Sequence, residues 1–214
     1  MERTKYPRTP HFAFSDGPAR DDDVLTSARH FSGRDVVATI KLDGECTTIY
    51  CDGYTHARSR DGKYNPSQAW IKAFAAQIAW QLPRGVRIIG EYMYASHSIK
   101  YTDLATYFYL FAVVDHTSTD PIFWGWDDTE DMAKLLDIPT PTVLYRGPWD
   151  EEEIRGLVSG LDLTRDEGYV VRTAGDFPQS AFKDNIGKYV KANLIKTERH
   201  WSQSWEKNQI NETN

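Results

Sequence analysis

The chain has 214 residues, of which 40% are hydrophobic and 26% are charged, and its formal net charge is −6. This composition predicts a globular protein with one substantial domain, and the acidic balance argues against a protein that coats nucleic acid through its overall charge. No apolar stretch is long enough for a membrane span, and the start of the chain lacks the pattern of a signal peptide. We therefore expect a cytoplasmic protein that has no membrane partner.

Residues 1–33 are rich in Pro, Asp, Arg and Ser, which predicts an irregular lead-in. Three strands are predicted next, at 35–41, 45–51 and 54–58, and the Asp52-Gly53 pair between the last two is typical of a hairpin turn. The only two cysteines, Cys46 and Cys51, are five residues apart in one predicted strand. That odd spacing places them on opposite faces and disfavours a disulfide, which fits a reducing cytoplasm.

Apolar residues at every fourth position then predict a helix that begins at an Asn65-Pro66 cap and ends near residue 82, with these residues in the core: Trp70, Phe74, Ile78 and Leu82. Further strands are predicted at 86–94, 107–114, 168–173 and 187–192, and helices near 129–137 and after the N-cap Asp150. Because strands outnumber helices and several are joined by hairpins, the pattern predicts an α+β fold with mostly antiparallel sheets and flanking helices. We expect one domain over residues 1–201 and a polar tail over 202–214.

Lys41-Leu42-Asp43-Gly44 lies between the first two predicted strands. A lysine, a carboxylate two residues later and a glycine form the arrangement in which a lysine amine attacks the α-phosphate of a nucleotide. The same four residues also fit an ordinary turn between two strands. The residues further along the chain are therefore needed to distinguish the two interpretations.

Five later segments contain the residue types that such a site needs: Arg58-Ser59-Arg60-Asp61-Gly62, Gly90-Glu91-Tyr92-Met93-Tyr94-Ala95, Tyr107-Phe108-Tyr109-Leu110-Phe111, Asp166-Glu167-Gly168-Tyr169-Val170-Val171-Arg172 and Gly187-Lys188-Tyr189-Val190-Lys191-Ala192-Asn193. In this order, and together with Lys41, they resemble the motifs of the covalent nucleotidyltransferases, which comprise ATP-dependent polynucleotide ligases and mRNA capping enzymes. Within that superfamily the chain is most similar to the RNA ligases of the RNA ligase 2 type.

The resemblance implies the ligase and capping-enzyme type of nucleotidyltransferase fold, and ATP and Mg²⁺ (or Mn²⁺) as cofactors. Lys41 would form the lysyl-AMP intermediate, its pKa lowered by nearby cations and the metal, and RNA ends or a nicked duplex would be the partner. For the metal and phosphates, the resemblance implies that Glu167 binds the metal, that Asp43 orients the loop or metal-bound waters, and that Lys188 and Lys191 neutralise the α-phosphate. For the nucleoside, it implies that Glu91 holds the ribose and Phe111 stacks on adenine. It also implies that Arg58 contacts ribose or phosphate and that Ile40 and Val170 line the nucleotide pocket.

Taken singly, several of these residues also fit structural roles. Glu91 fits an exposed strand position, Phe111 a core position, Arg58 a hairpin surface, and Glu167 a turn before a strand. Two other functions stay open as well. The same chemistry would serve a DNA or mixed nick, and a nucleotide- or end-binding module would need no catalysis.

The chain departs from the pattern of its relatives at several positions. Ile40 stands where relatives often have glutamate, so an adenine contact there has to come from the main chain, and Cys46 stands where they often have asparagine. Lys188 and Lys191 are three residues apart, so in a regular strand they would face opposite ways, and we favour Lys188 for the pocket. Relatives usually append a second domain, and a protein partner is one expected replacement. A local basic patch is a candidate RNA contact: Lys183, Lys188, Lys191, Lys196, Arg199 and His200.

Overall fold

The computed structural model describes residues 2–17, 22–58, 66–162, 164–192 and 206–211. Within these residues the chain forms the strands β1 (Asp35–Lys41), β2 (Glu45–Tyr50), β3 (Thr55–Ala57), β4 (Val86–Tyr92), β5 (Phe108–Asp115), β6 (Ile122–Phe123), β7 (Val143–Pro148), β8 (Gly168–Thr173), β9 (Phe177–Pro178) and β10 (Ile186–Val190). The α-helices are α1 (Gln68–Ile78), α2 (Trp126–Leu135) and α3 (Glu151–Gly156). Short 3-10 helices lie at Arg29–Phe31, Ala79–Gln81, Leu157–Gly160 and Gln179–Asp184.

The strands form two antiparallel sheets. One has four strands in the order β10-β8-β1-β7, and the other has six in the order β3-β2-β4-β5-β6-β9. All of the strand pairs in both sheets are antiparallel. The predicted α+β class with mostly antiparallel sheets and flanking helices is therefore confirmed.

Three hydrophobic clusters show how the layers are stacked. The six-stranded sheet packs one face against α1 and α2, with Ile71, Ile88 and Met132 among the buried residues. The four-stranded sheet packs its outer face against α3 and part of the lead-in. The inner faces of the two sheets share a third cluster, which includes Ile89 from β4 and Ile186 from β10. Since side chains alternate along each strand, the residues between these core positions are available to line the space between the sheets.

The strands β1 and β8 begin and end where the sequence predicted them. The predicted α1 is less accurate, because the helix begins at Gln68 with Ser67 as its N-cap, and its α-helical part ends at Ile78. Asn65, the predicted cap, lies outside the described residues. Asp150 is the N-cap of α3 as predicted, and its side chain accepts hydrogen bonds from the main-chain N–H groups of Glu152 and Glu153.

Of the four residues predicted on the core face of the predicted α1, Ile78 and Leu82 are buried as predicted. Ile71 and Ala75 are buried, whereas Trp70 and Phe74 are only half-buried. The two aromatic rings stack on each other with their centroids 4.9 Å apart. The Trp70 and Phe74 rings pack against the edge of the buried cluster and are not enclosed by it.

Several strand ends differ from the prediction. The strand β3 covers only Thr55–Ala57, β2 ends at Tyr50, and β10 ends at Val190. The strand β4 ends at Tyr92, and β5 contributes buried residues to the clusters on both faces of its sheet, although Tyr109 and Phe111 are half-buried. The helix α2 begins at Trp126, three residues before the predicted start. No strand was predicted at β6, β7 or β9, because β6 and β9 have two residues each and β7 is a largely exposed edge strand.

The lead-in and the predicted polar tail both pack on the domain. Tyr6, Phe12 and Phe31 of the lead-in are buried, and His11 forms a parallel bridge with Lys188 at the edge of β10. In the tail, residues 206–211 hydrogen-bond to the segment that follows β4, and Asn208 is fully buried. Neither segment has the periodicity that reveals a strand or a helix, so composition alone suggested that both were peripheral.

Two further findings bear on the composition-based expectations. Both cysteines, Cys46 and Cys51, lie in the described part of the chain, and both are free thiols. Across the described ranges, none of the helices is both long enough and apolar enough to cross a bilayer.

Gly168 is the point at which β8 approaches β10 most closely. A Cβ atom at this position would lie 2.0 Å from the main-chain oxygen of Tyr189. Gly168 also pairs with Lys41 across β1 and β8. The absence of a side chain at residue 168 therefore lets three strands meet beside Lys41.

We expect Gly168→Ala to lower the free energy of unfolding by about 1–3 kcal/mol, because a main-chain oxygen has to move to admit the methyl group. Urea unfolding followed by circular dichroism measures the change. Gly175→Ala is the matched control, since a Cβ at residue 175 would meet nothing within 4 Å. Equal midpoints for the two variants would contradict the proposed close approach.

Candidate active site

A cavity of about 380 Å³ lies between the inner faces of the two sheets. The four-stranded sheet contributes residues from β1, β8 and β10, and the six-stranded sheet contributes residues from β2, β4, β5, β6 and β9. This volume is within the usual range for small-molecule sites. Its lining includes most of the residues that the sequence had singled out: Ile40, Lys41, Arg58, Glu91, Phe111, Val170 and Lys188.

Lys41 is the last residue of β1, and its amine pairs with the carboxylate of Glu167. The pairing follows from the sheet register, because Lys41 lies opposite Gly168, the residue after Glu167. The side chains of Lys41 and Glu167 are 22% and 15% exposed. At this degree of burial an ion pair is screened only weakly by solvent. The Glu167 carboxylate is therefore a strong local influence on the Lys41 amine.

The surrounding charges favour the protonated form of Lys41. Burial by itself acts to lower the pKa of the amine, but Glu167, Glu91 and Asp43 outweigh burial and raise this pKa above its ordinary value. The expectation that neighbouring cations lower the pKa of Lys41 is therefore wrong for the protein alone. Three carboxylates act on the amine, and they reverse the sign of the shift.

Glu91 lies on β4 opposite Cys46 of β2, and it lines the cavity. Its Oε1 accepts a hydrogen bond of 3.1 Å from the main-chain N–H of Gly44. Burial raises the pKa of the Glu91 carboxyl to about 7, and the nearby Lys41 amine opposes the rise. Glu91 is thus a half-buried cavity residue that contacts the Lys41 turn, and it does not occupy the exposed strand position that its sequence also allowed.

The turn after Lys41 is packed so tightly that residue 44 has no room for a side chain. A Cβ atom on Gly44 would lie 2.7 Å from both Met93 Sδ and the main-chain oxygen of Tyr92. The glycine of Lys41-Leu42-Asp43-Gly44 is therefore required for close approach to the end of β4. This contact brings the turn within reach of Glu91.

Asp43 uses its carboxylate to hold a neighbouring loop. Its Oδ2 accepts hydrogen bonds from the main-chain N–H groups of Ser98 (2.7 Å) and Ile99 (2.8 Å). The Asp43 N–H in turn donates to the Tyr101 hydroxyl at 3.2 Å. These contacts commit Asp43 to the position of the loop, and they bring His97 of the same loop to the cavity wall.

Phe111 reaches the cavity because of an irregularity in the pairing of β4 with β5. Ile89 pairs with Ala112 and Gly90 pairs with Leu110, so Phe111 is the extra residue of a β-bulge. Gly90 makes the bulge possible, since a Cβ at residue 90 would lie 2.5 Å from the main-chain oxygen of Tyr109. The bulge turns the half-buried Phe111 ring toward the cavity, where the edge of Tyr6 packs against it at 5.3 Å.

The two candidate lysines near the end of the fold occupy different positions. Lys188 is in the middle of β10, lines the cavity and is half-buried. Burial lowers the pKa of Lys188, and the positive charge of Lys41 lowers it further. Lys191 follows the end of β10 and is not among the residues that line the cavity, whereas Lys188, the lysine favoured for the pocket, is among them. The main-chain N–H of Lys191 instead donates to the carbonyl of Glu167 at 3.2 Å.

Arg58 lies just after β3, where it is exposed at the cavity wall, and its main-chain N–H donates to the Cys46 carbonyl at 2.8 Å. The rest of the predicted basic patch is not at the cavity in the described residues. Lys183 pairs with Asp23 at 2.9 Å. Lys196, Arg199 and His200 lie outside the described residues.

Several cavity residues were not anticipated from the sequence: Tyr6, Pro7, Thr9, Trp126 and Arg172. Tyr6 and its neighbours come from the lead-in, where no periodic pattern marks a buried segment. Arg172 was visible as the end of the Glu167 segment, but its burial was not. Its guanidinium donates to the Trp124 carbonyl and lies over the Phe177 ring at 5.3 Å. Burial lowers the pKa of Arg172 to about 10.

Comparisons of structure identify proteins with the same fold. A Naegleria gruberi RNA ligase variant with ATP and manganese is 15% identical, with a TM-score of 0.56 over 92% of this chain and 63% of the other. An archaeal ATP-dependent RNA ligase is 15% identical, with a TM-score of 0.57 over 87% of this chain and 48% of the other. A protein from Aquifex aeolicus assigned as an ATP-dependent DNA ligase is 15% identical, with a TM-score of 0.55 over 87% and 50%.

The chain thus spans about half to two thirds of the length of these proteins. At such low identity the matches establish the fold, which is the predicted nucleotidyltransferase fold of the ligases. A search of curated protein sequences gave no significant match. The profile of one family, described as RNA ligase, matches residues 34–190, which include the strands β1 to β10 and most of the residues that line the cavity. On this match, the chain belongs to the RNA ligase family.

Proposed function

We propose that this chain is an ATP-dependent RNA ligase that acts through a covalent Lys41–AMP intermediate, with residues 1–201 as the adenylylation domain. The observation that carries the proposal is the position of the Lys41 amine, which is paired with Glu167 at the wall of the cavity between the sheets. A lysine that only stabilised the fold would not need a cavity of ligand size beside its amine. Membership of the RNA ligase family supports RNA as the substrate.

In the proposed first step, the neutral amine of Lys41 attacks the α-phosphorus of ATP. A P–N bond forms, the P–O bond to pyrophosphate breaks, and pyrophosphate leaves with the bonding electrons. The ammonium group loses two protons in all, and Glu167 is placed to accept the first because it already accepts a hydrogen bond from Nζ. The pyrophosphate is a nearby acceptor for the second. The raised pKa of Lys41 makes this deprotonation a necessary part of the step.

The cavity suits a divalent cation, Mg²⁺ or Mn²⁺, that is shared with the nucleotide. Glu167 supplies carboxylate oxygens at the Lys41 amine. In the part of the chain that the structure describes, no group of three or more His, Cys, Asp or Glu side chains is arranged to hold a metal ion. Magnesium often binds through one or two carboxylates, several waters and substrate phosphates, so a single glutamate fits such a site. A bound cation would neutralise charge on the phosphates.

The remaining cavity residues fit the parts of a nucleotide. We assign the adenine to the Phe111 ring, beside Val170 and the main chain at Ile40, because the bulge turns this ring into the cavity. We assign the ribose hydroxyls to Glu91, and the phosphates to Lys188 and Arg58. On this assignment Asp43 positions the loop of residues 97–99 and does not contact the reacting atoms.

In the proposed second step, an oxygen of a 5′-phosphate attacks the phosphorus of the Lys41-bound AMP; a P–O bond forms, the P–N bond breaks, and the lysine amine takes up a proton and leaves. In the third step, a 3′-hydroxyl attacks the phosphorus of that 5′-phosphate and loses its proton; the new P–O bond joins the two ends, the P–O bond to AMP breaks, and AMP leaves. The same cations would serve both phosphorus centres. Two free cysteines agree with the reducing cytoplasm as the compartment that we propose.

Incubation with α-³²P-labelled ATP and magnesium should label the wild-type protein through an acid-labile, alkali-stable bond. Lys41→Ala should abolish the label, because a phosphoramidate needs the amine. Lys134→Ala is the matched control, since Lys134 is an exposed lysine on α2 that pairs with Asp131. Failure of the wild type to label, or equal labelling of Lys41→Ala, would refute the proposal.

Glu167→Gln should lower the pKa of the Lys41 amine in the nucleotide-free protein, because Glu167 is the carboxylate that raises it most. The fraction of neutral amine at a given pH then increases. Competitive labelling of Lys41 with an amine-reactive reagent across a pH series, read by mass spectrometry, measures this pKa directly. Asp43→Asn should lower it less, and an equal or larger effect of Asp43→Asn would contradict the assignment.

Lys188→Ala should slow formation of the adduct by about 100-fold, the usual cost of removing a group that stabilises transition-state charge. Lys191→Ala should slow it much less, because Lys191 does not line the cavity. Single-turnover rates at saturating ATP provide the comparison. If Lys191→Ala is the slower of the two variants, then the cation at the α-phosphate has been wrongly assigned.

A further inference from the structure

Residues 206–211, which we call the C-terminal strap, run along the segment between β4 and β5. The main chains bond on both sides of Asn208: the N–H of Ser96 donates to the Glu206 carbonyl at 2.8 Å, and the N–H of Leu104 donates to the Gln209 carbonyl at 3.0 Å. Antiparallel and parallel bridges join Ala95 to Lys207 and Leu104 to Ile210. The strap therefore supplies hydrogen-bonding partners to main-chain groups of a loop that lies outside the six-stranded sheet.

Asn208 is the buried centre of the strap, with 0% of its surface exposed. Its Oδ1 accepts from the Tyr101 N–H at 2.9 Å, and its Nδ2 donates to the Met93 carbonyl at 2.8 Å. Its own N–H donates to the Tyr94 carbonyl at 2.9 Å, and its carbonyl accepts from the Tyr107 hydroxyl at 3.0 Å. The Asn208 side chain thus joins the start of the loop at Met93 to its middle at Tyr101, and the Asn208 carbonyl holds the end of the loop at Tyr107.

The opposite side of this loop holds the turn that follows Lys41. The Tyr101 hydroxyl accepts from the Asp43 N–H, and the Asp43 carboxylate accepts from Ser98 and Ile99. The sulfur of Met93 closes the space above Gly44. The loop is therefore held between two segments that are far apart in the sequence. A displacement at Asn208 would pass through Tyr101 and Met93 to the residues beside Lys41.

We propose that Asn208 is a positioning residue for Lys41, acting through Tyr101 and the loop of residues 93–107. This inference rests on the proposed adenylylation at Lys41. It assigns a role to residues 206–211, a segment beyond the part of the chain that the RNA ligase profile matches. The reacting nitrogen is at the end of a strand, and the turn that follows it has to keep a fixed path for in-line attack. Small displacements of reacting groups are known to cost about 100-fold in rate.

The test uses the full-length chain with Asn208→Ala, Tyr101→Phe and the double variant. Asn208→Ala should slow adduct formation at saturating ATP by about 10- to 100-fold. Tyr101→Phe, which removes only the hydroxyl, should slow it by less. If Asn208 acts through Tyr101, the double variant should be little slower than Asn208→Ala alone, so that the two effects are not additive. Gln209→Ala is the control, because the Gln209 side chain is exposed and only its main chain bonds to the loop.

Amide hydrogen exchange measures the same coupling without catalysis. In Asn208→Ala, exchange should accelerate at Asp43 and over residues 98–101, while the β1–β8 ladder keeps its wild-type protection. Unchanged exchange at Asp43, or additive rate effects in the double variant, would overturn the inference even if the wild type forms the adduct. If the wild type forms no adduct, the proposed function fails, and exchange at Asp43 still decides whether Asn208 controls the turn. If Asn208→Ala does not fold, the milder Asn208→Ser decides: faster exchange at Asp43 supports the inference, and wild-type exchange there overturns it.

Discussion

The ion pair between Lys41 and Glu167 is the interaction on which the arrangement of the cavity depends. It joins the end of β1 to the start of β8, where Gly168 allows β8 to lie against β10. A buried pair of this kind is costly to break, since either partner alone would be an uncompensated charge. The two strands are therefore held in one register at the point where the amine meets the cavity.

The charges around this pair also determine the state in which the site rests. Burial disfavours the charged form of both the Lys41 amine and the Glu91 carboxyl, but only Glu91 is shifted toward its neutral form. Neighbouring carboxylates outweigh burial at Lys41 and raise its pKa, whereas burial prevails at Glu91 and brings its pKa to about 7. The protein alone thus holds a protonated amine beside a carboxyl that titrates near neutrality. A group that competes for Glu167 would release the amine toward its neutral form, which is the form that the proposed attack on ATP requires.

The sequence predicted the parts of the fold that follow local rules. The strands β1 and β8 are each centred on a short apolar run, and the Asp150 carboxylate caps α3 by accepting hydrogen bonds from main-chain N–H groups two and three residues later. Such local rules do not predict the position of Phe111, because the bulge depends on the contact between Gly90 and the neighbouring strand β5. The burial of Tyr6 and Asn208 was equally hidden, since each is buried by tertiary contacts and lies in a segment of no regular period. Lys191 is three residues from Lys188, but β10 ends between them, and a spacing rule for strands does not extend past the end of the strand.

The four residues Lys41-Leu42-Asp43-Gly44 show why a short motif specifies a site only within a particular fold. Lys41 needs β8 to bring Glu167 to its amine, and Asp43 needs the loop of residues 97–99 as its donor. Gly44 needs the end of β4 as the surface that it approaches. Each requirement is met by a segment at least 45 residues away, as the separation of 47 residues between Gly44 and Glu91 illustrates. The motif determines which side chains are present, whereas the two sheets determine where the Lys41 amine lies, and the proposed adenylylation depends on both.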